Sequence, residues 1–67
     1  MERDGGQKRS EIRVGQKVAV VQKQDQRTGK LTEGIVSRIL TKSGTHPHGI
    51  KVKLVSGVVG RVKKLLD

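Results

Sequence analysis

The stretch Ile50-Lys51-Val52-Lys53-Leu54-Val55-Ser56-Gly57-Val58-Val59-Gly60-Arg61-Val62, IKVKLVSGVVGRV, decides the fold. Aliphatic and charged residues alternate through its first half with a period of two, the repeat of a strand that buries one face. Ile50, Val52 and Leu54 are thereby placed inward, and Lys51 and Lys53 outward. Ser56-Gly57 reads as a two-residue hairpin turn, and residues 58–62 as the returning strand.

Working outward, residues 17–23, KVAVVQK, form a short valine-rich strand, and Asp25-Gln26-Arg27-Thr28-Gly29 follows as a turn cluster. The next segment, 31–40, LTEGIVSRIL, carries Val36 and Ile39 three apart, which strict alternation would send to opposite faces. A β-bulge between Gly34 and Arg38 brings both inward, and bulged, bent strands are what close small barrels. A helix over 34–41 is disfavoured by its β-branched residues and the lack of a cap. Residues 41–49, TKSGTHPHG, make a loop outside the sheet, and 63–67 a brief strand or helical turn that covers the barrel end with Leu65 and Leu66. Residues 11–16 form a short extended entry or a turn. The first ten residues, MERDGGQKRS, hold too little apolar surface to order themselves and read as a flexible basic segment. The expected architecture is all-β: a small SH3-like barrel of four to five antiparallel strands over residues 11–67, behind a flexible segment at 1–10.

A chain of 67 residues buries only about 60% of the surface its unfolded form exposes, so a deep pocket is not expected. There is no cysteine to brace it by disulfide or thiolate-metal bonds, which leaves aliphatic packing and fits a reducing compartment. Fifteen Lys and Arg against six Asp and Glu give a net charge of +9, which points to a polyanionic partner, nucleic acid first. The chain has no Phe, Tyr or Trp, so base-stacking platforms, methyl-lysine cages and proline-peptide grooves are excluded. Any contact with nucleic acid must run through phosphates and sugars. No apolar run has the length of a membrane span, and the N-terminal stretch lacks a signal-peptide core, so a cytoplasmic monomer without a membrane or small-molecule partner is expected.

Several of these segments, in order, resemble the YwbE-like family of small prokaryotic proteins. They are Asp25-Gln26-Arg27-Thr28-Gly29-Lys30-Leu31-Thr32, Gly34-Ile35-Val36, Ile39-Leu40-Thr41, His46-Pro47-His48-Gly49-Ile50-Lys51-Val52, and Gly57 with Val59-Gly60-Arg61-Val62. The resemblance spans about residues 8–62, leaves 1–6 outside the pattern, and implies identity without an activity. Gly15-Gln16-Lys17-Val18 and Gly34-Ile35-Val36-Ser37-Arg38-Ile39 are also similar to strand patterns of KOW-type and other SH3-like barrels of transcription and ribosomal proteins. That likeness operates at the level of the fold.

His46-Pro47-His48-Gly49 holds both histidines and the one proline. An extended His-x-His supplies two metal ligands, but only Asp25 or Glu33 offers a third, and nothing in the sequence positions either; no metal or other cofactor is expected. A histidine base needs a nucleophile or an orienting carboxylate, and Ser43 and Thr45 are ordinary turn residues, so no catalytic residue and no enzymatic activity are expected. The local reading is that Pro47 and Gly49 turn the chain into the strand at Ile50 while the imidazoles donate to nearby carbonyls. The functional reading adds contacts from His46 and His48 to phosphate or sugar. Lys51 and Lys53 share the outer strand face, Arg61 is expected beside them with Lys63 and Lys64 behind, and Arg38 across. Arg27 and Lys30 extend this footprint from the turn. The expected function is a non-enzymatic nucleic-acid-binding module, RNA preferred over DNA by the KOW-type likeness; the alternative is an adaptor that docks on an acidic protein or adds its edge strand to another sheet.

Overall fold

A computed structural model describes residues 3–66 of the chain. Its strands are β1 (Arg3–Asp4), β2 (Lys17–Val21), β3 (Thr32–Ile39), β4 (Lys51–Leu54) and β5 (Val59–Leu65), with single 3-10 turns at Arg9–Glu11 and Lys23–Asp25. All pairings are antiparallel in the order β1-β5-β2-β3-β4, and β4 returns to pair with β5. Strands β2 to β5 therefore close into the small barrel that the alternation pattern predicts, with β1 as an additional strand. Among the described residues no helix is long and apolar enough to cross a membrane.

Two bent strands close the barrel. The first half of β3 pairs with β2, from Thr32↔Val20 to Ile35↔Lys17, and its second half pairs with β4, from Val36↔Leu54 to Ile39↔Val52. The register shifts between Val36 and Arg38, so the expected bulge forms, Val36 is buried and Ile39 packs against the core. A second bulge falls in β5, where Val20 faces Val62 but Ala19 faces Lys64. Lys63 is the extra residue there, and Val62 and Leu65, also three apart, are both buried.

The β4–β5 connection is longer than the expected two-residue turn. Leu54 N–H donates to Val58 O at 2.7 Å and Gly57 N–H to Leu54 O at 2.9 Å, which leaves Val55-Ser56-Gly57 as the loop. Gly57 has φ +95°, the left-handed last position of a three-residue hairpin. The C-terminal residues continue β5 to Leu65 and form no helical turn; Asp67 lies outside the described residues.

Ile12, Val18, Val20, Val36, Ile50, Val52, Leu54, Val62 and Leu65 form the core, and no polar side chain is buried with them among the described residues. Each contributes roughly 1.5–3 kcal/mol on full burial. Without aromatic volume to fill it, the barrel closes by bringing backbones together.

That approach is tightest at Val62. Composition predicts a flexible segment over 1–10, whereas residues 3–9 lie along the barrel wall and take over the edge of β5 where β4 begins. Asp4 pairs with Lys64, Gly5 N–H donates to Lys63 O at 3.3 Å, and Gly6 O accepts from Ile50 N–H at 2.6 Å. Gln7 O then accepts from His46 N–H at 2.9 Å, and Arg9 N–H donates to Gly44 O at 2.8 Å. Backbone hydrogen bonds and a glycine in close approach need no apolar side chains, so composition does not register them. Met1 and Glu2 lie outside the described residues. Gly6 (φ +96°) and Gly49 (φ +102°) both lie against Val62: a Cβ on Gly6 would meet the Val62 side chain and carbonyl, and one on Gly49 would meet the Val62 carbonyl.

Gly49→Ala combines a left-handed backbone with a steric clash and is expected to cost on the order of 3 kcal/mol, lowering the melting midpoint by about 10 °C or more. Gly6→Ala should behave alike, whereas Gly44→Ala, with open space around its Cα and no positive φ, should stay near the parent. Thermal unfolding by circular dichroism checks the series; three equal midpoints would refute this packing.

Candidate functional site

Strand pairing brings Arg38 of β3, Lys51 and Lys53 of β4 and Arg61 of β5 next to one another. Lys51 and Lys53 point outward and are exposed. Lys51 stands directly opposite Arg61, and Lys53 is the cross-strand partner of both Arg38 and Val59. Like charges placed opposite each other across strands repel, and among the described residues no carboxylate reaches Lys51, Lys53 or Arg38. The Lys17–Glu33 ion pair, 3.9 Å apart and exposed on both sides, lies elsewhere on β2 and β3. Lys64 is half-buried and paired in register with Asp4 and Ala19, toward the β1 edge rather than on the Lys51 face.

The histidine stretch is a turn, not the extended segment that the metal-spacing argument requires. Gly49 N–H donates to His46 O at 3.0 Å with Pro47 at the second position, where its fixed φ suits the turn. His46 Nδ1 accepts the His48 amide N–H at 3.1 Å, and the two rings lie 5.8 Å apart. The first imidazole therefore accepts from a backbone amide instead of donating to a carbonyl, and its proton sits on Nε2. Gln7 Nε2 donates to Pro47 O at 2.8 Å and joins the backbone bonds of Gln7 and Arg9 in holding this loop to the N-terminal segment.

Two cations are fastened to the turn from β5. Arg61 Nη1 donates to Gly49 O at 3.1 Å, and Lys63 Nζ donates to His48 O at 2.8 Å. Partial burial of the ring, then the Arg61 charge, His48 and Lys63, hold the His46 pKa below its ordinary value of 6.5. The physical cause agrees with the geometry, since protonating Nδ1 would break its hydrogen bond from the His48 amide N–H and add a cation beside two others.

A groove of about 630 Å³ separates this turn from the one after β2: Gln26 and Gly29 line it with His46 and His48, together with Val21, Arg61 and Lys63. A second, shallower groove of about 900 Å³ shares Val21, Gln26 and Arg61 and extends to Lys51 and the hairpin at 56–60. Arg61 thus belongs to both. Arg27 and Lys30 are exposed on the turn but line neither groove; their neighbours Gln26 and Gly29 do. The histidines, expected at the rim of the basic face, stand in a groove with Arg61 and Lys63. Charge alone does not pick out the neutral Gln26 and Gly29, and the signal that placed that turn was its own turn chemistry.

The family model described as "Uncharacterized conserved protein (DUF2196)" matches residues 5–65. The chain is 54% identical over 62 residues to the "Uncharacterized protein YwbE" of Bacillus subtilis (strain 168), covering 92% of this chain and 95% of that one. No solved structure matches. The family match begins at Gly5, so it takes in Gly5 and Gly6, which the sequence pattern leaves out.

With His46 depressed, folding stability carries a contribution that is fully present above pH 6.5, where the unfolded imidazole is neutral, and is lost as pH falls through the lower folded value. NMR titration of the imidazole should place the His46 midpoint below 6.5, and Lys63→Gln should raise it. A midpoint at or above 6.5 would contradict the Nδ1 hydrogen bond.

Proposed function

The chain belongs to the DUF2196 family of uncharacterized conserved proteins, a kinship that carries no activity with it, and from its charge pattern we propose that it is a non-enzymatic nucleic-acid-binding module. The observation that carries the reading is the pair of like-charge cross-strand neighbours, Lys51↔Arg61 and Arg38↔Lys53, all exposed but the half-buried Arg61 and without a carboxylate partner among the described residues. A polyanion laid across such a face relieves repulsion that the protein itself leaves uncompensated. The net charge of +9 adds long-range attraction, and the absence of aromatic residues directs the contacts to phosphates and sugars. RNA is the favoured class through the likeness of the Gly15 and Gly34 strand patterns to those of KOW-type barrels.

Docking on an acidic protein would draw on the same charge. Adding a strand to another sheet finds less support, because among the described residues barrel closure leaves the two-residue β1 as the outermost strand of the sheet order. A template that short supplies few backbone bonds.

Binding to a short single-stranded RNA should weaken steeply with salt, with a log-log slope of about 0.7 per phosphate neutralised. Lys51→Ala with Lys53→Ala should flatten that slope by about 1.4 and leave the melting midpoint in place, since both side chains are exposed. Fluorescence anisotropy across a salt series reads both effects. Affinity that is flat with salt would sink the proposal, as would capture of one nuclease-resistant acidic protein in place of nucleic acid.

A further inference from the structure

The groove at the His46–Gly49 turn offers hydrogen-bond donors fixed in place, and what it can accept deepens the reading above, on which it rests for the source of its ligand. Among the described residues its two charged side chains are both cations, and no carboxylate lines it. Each cation is anchored by one bond to a turn carbonyl, Arg61 to Gly49 and Lys63 to His48. That leaves roughly four of the guanidinium N–H groups and two of the ammonium hydrogens for another acceptor. The neutral His46 ring, its Nδ1 occupied by the His48 amide, carries its own N–H on Nε2. Anchoring matters energetically, because heads already held in position lose less freedom when a ligand arrives.

We infer that this groove seats a phosphate monoester dianion, held by Arg61, Lys63 and the His46 Nε2–H, with His48 at its side. Two fixed positive charges match the two negative charges of the monoester, and a ligand with only acceptors suits a site rich in donors. Arg61 also belongs to the adjoining groove that reaches Lys51, so whatever carries the phosphate has a cationic path leading out along β4. The carrier is the terminal phosphate of a polynucleotide or a small phosphate ester, and both share this chemistry.

The test follows the His46 and His48 imidazoles and the Gly29 and Gly49 amides of the full chain by NMR while inorganic phosphate is added above pH 7, with ionic strength held constant by chloride. Saturable shifts at these positions are expected, with affinity reduced at least tenfold by Lys63→Gln and by Arg61→Gln and unaltered by Lys42→Ala. Shifts no larger than chloride produces, or an unweakened response in both variants, overturn the site; the parent titration decides the matter even if a variant fails to fold. A short RNA is then compared with a 5′-phosphate and with a 5′-hydroxyl. Tighter binding of the phosphorylated RNA, with the same signals moving, assigns the seat to a polynucleotide end. Saturation by phosphate without RNA binding upholds the seat for a small ester and removes the nucleic-acid reading. Equal binding of both RNAs with His46 unmoved rules out a polynucleotide end as the carrier and leaves the β4 face standing.

Discussion

The close approach of two glycines to Val62 is the constraint on which the rest of the structure depends. Val62 is fully buried in the core, its amide donates to Ile50 O at 2.9 Å, and Gly6 and Gly49 press against it where any Cβ would collide. A barrel with no aromatic residue gains stability only by drawing aliphatic side chains and backbones close together, and here that contraction brings three distant segments to one point. The N-terminal segment, the histidine turn and β5 therefore form one packed unit. The groove donors Arg61 and Lys63 flank Val62 in sequence, so the packing that closes the barrel also sets the positions of the charges.

The basic surface divides into two chemically different parts. On β4, Lys51 and Lys53 have no carboxylate within reach among the described residues and present exposed charges suited to contacts that vary along a polyanion. At the turn, Arg61 and Lys63 are tied to carbonyl oxygens, and the neighbouring imidazole, hydrogen-bonded at Nδ1 to the His48 amide, has its pKa lowered by partial burial and by those same charges. The first part suits non-specific attraction, and the second suits a defined anion. A single residue, Arg61, joins them, being the partner of Lys51 across the strands and a wall of both grooves.

Much of the fold was legible because strand periodicity is a local signal. Alternation from Ile50 to Leu54 placed Lys51 and Lys53 correctly, and the three-residue spacing of Val36 and Ile39 located the β3 bulge. The same spacing at Val62 and Leu65 marks the β5 bulge, but the two lysines between them, Lys63 and Lys64, mask it. What stayed hidden depends on contacts between distant segments. Composition makes residues 3–9 look unable to order, yet they are held by backbone hydrogen bonds that composition does not encode. The acceptor role of His46 follows from a turn geometry that side-chain type alone does not specify. Charge points to Arg27 and Lys30, whereas the uncharged Gln26 and Gly29 beside them reach the groove.

If Gly6, Gln7 and Arg9 hold the histidine turn onto Val62, the amides that they bind must open only when the barrel opens. Amide hydrogen exchange on the intact chain tests this most directly. The His46 and Ile50 amides, which donate to Gln7 and Gly6, should be protected to nearly the same degree as those of Val62 and Leu54 in the barrel. Exchange of His46 and Ile50 at the rate of an unstructured peptide, with Val62 and Leu54 still protected, would contradict the account.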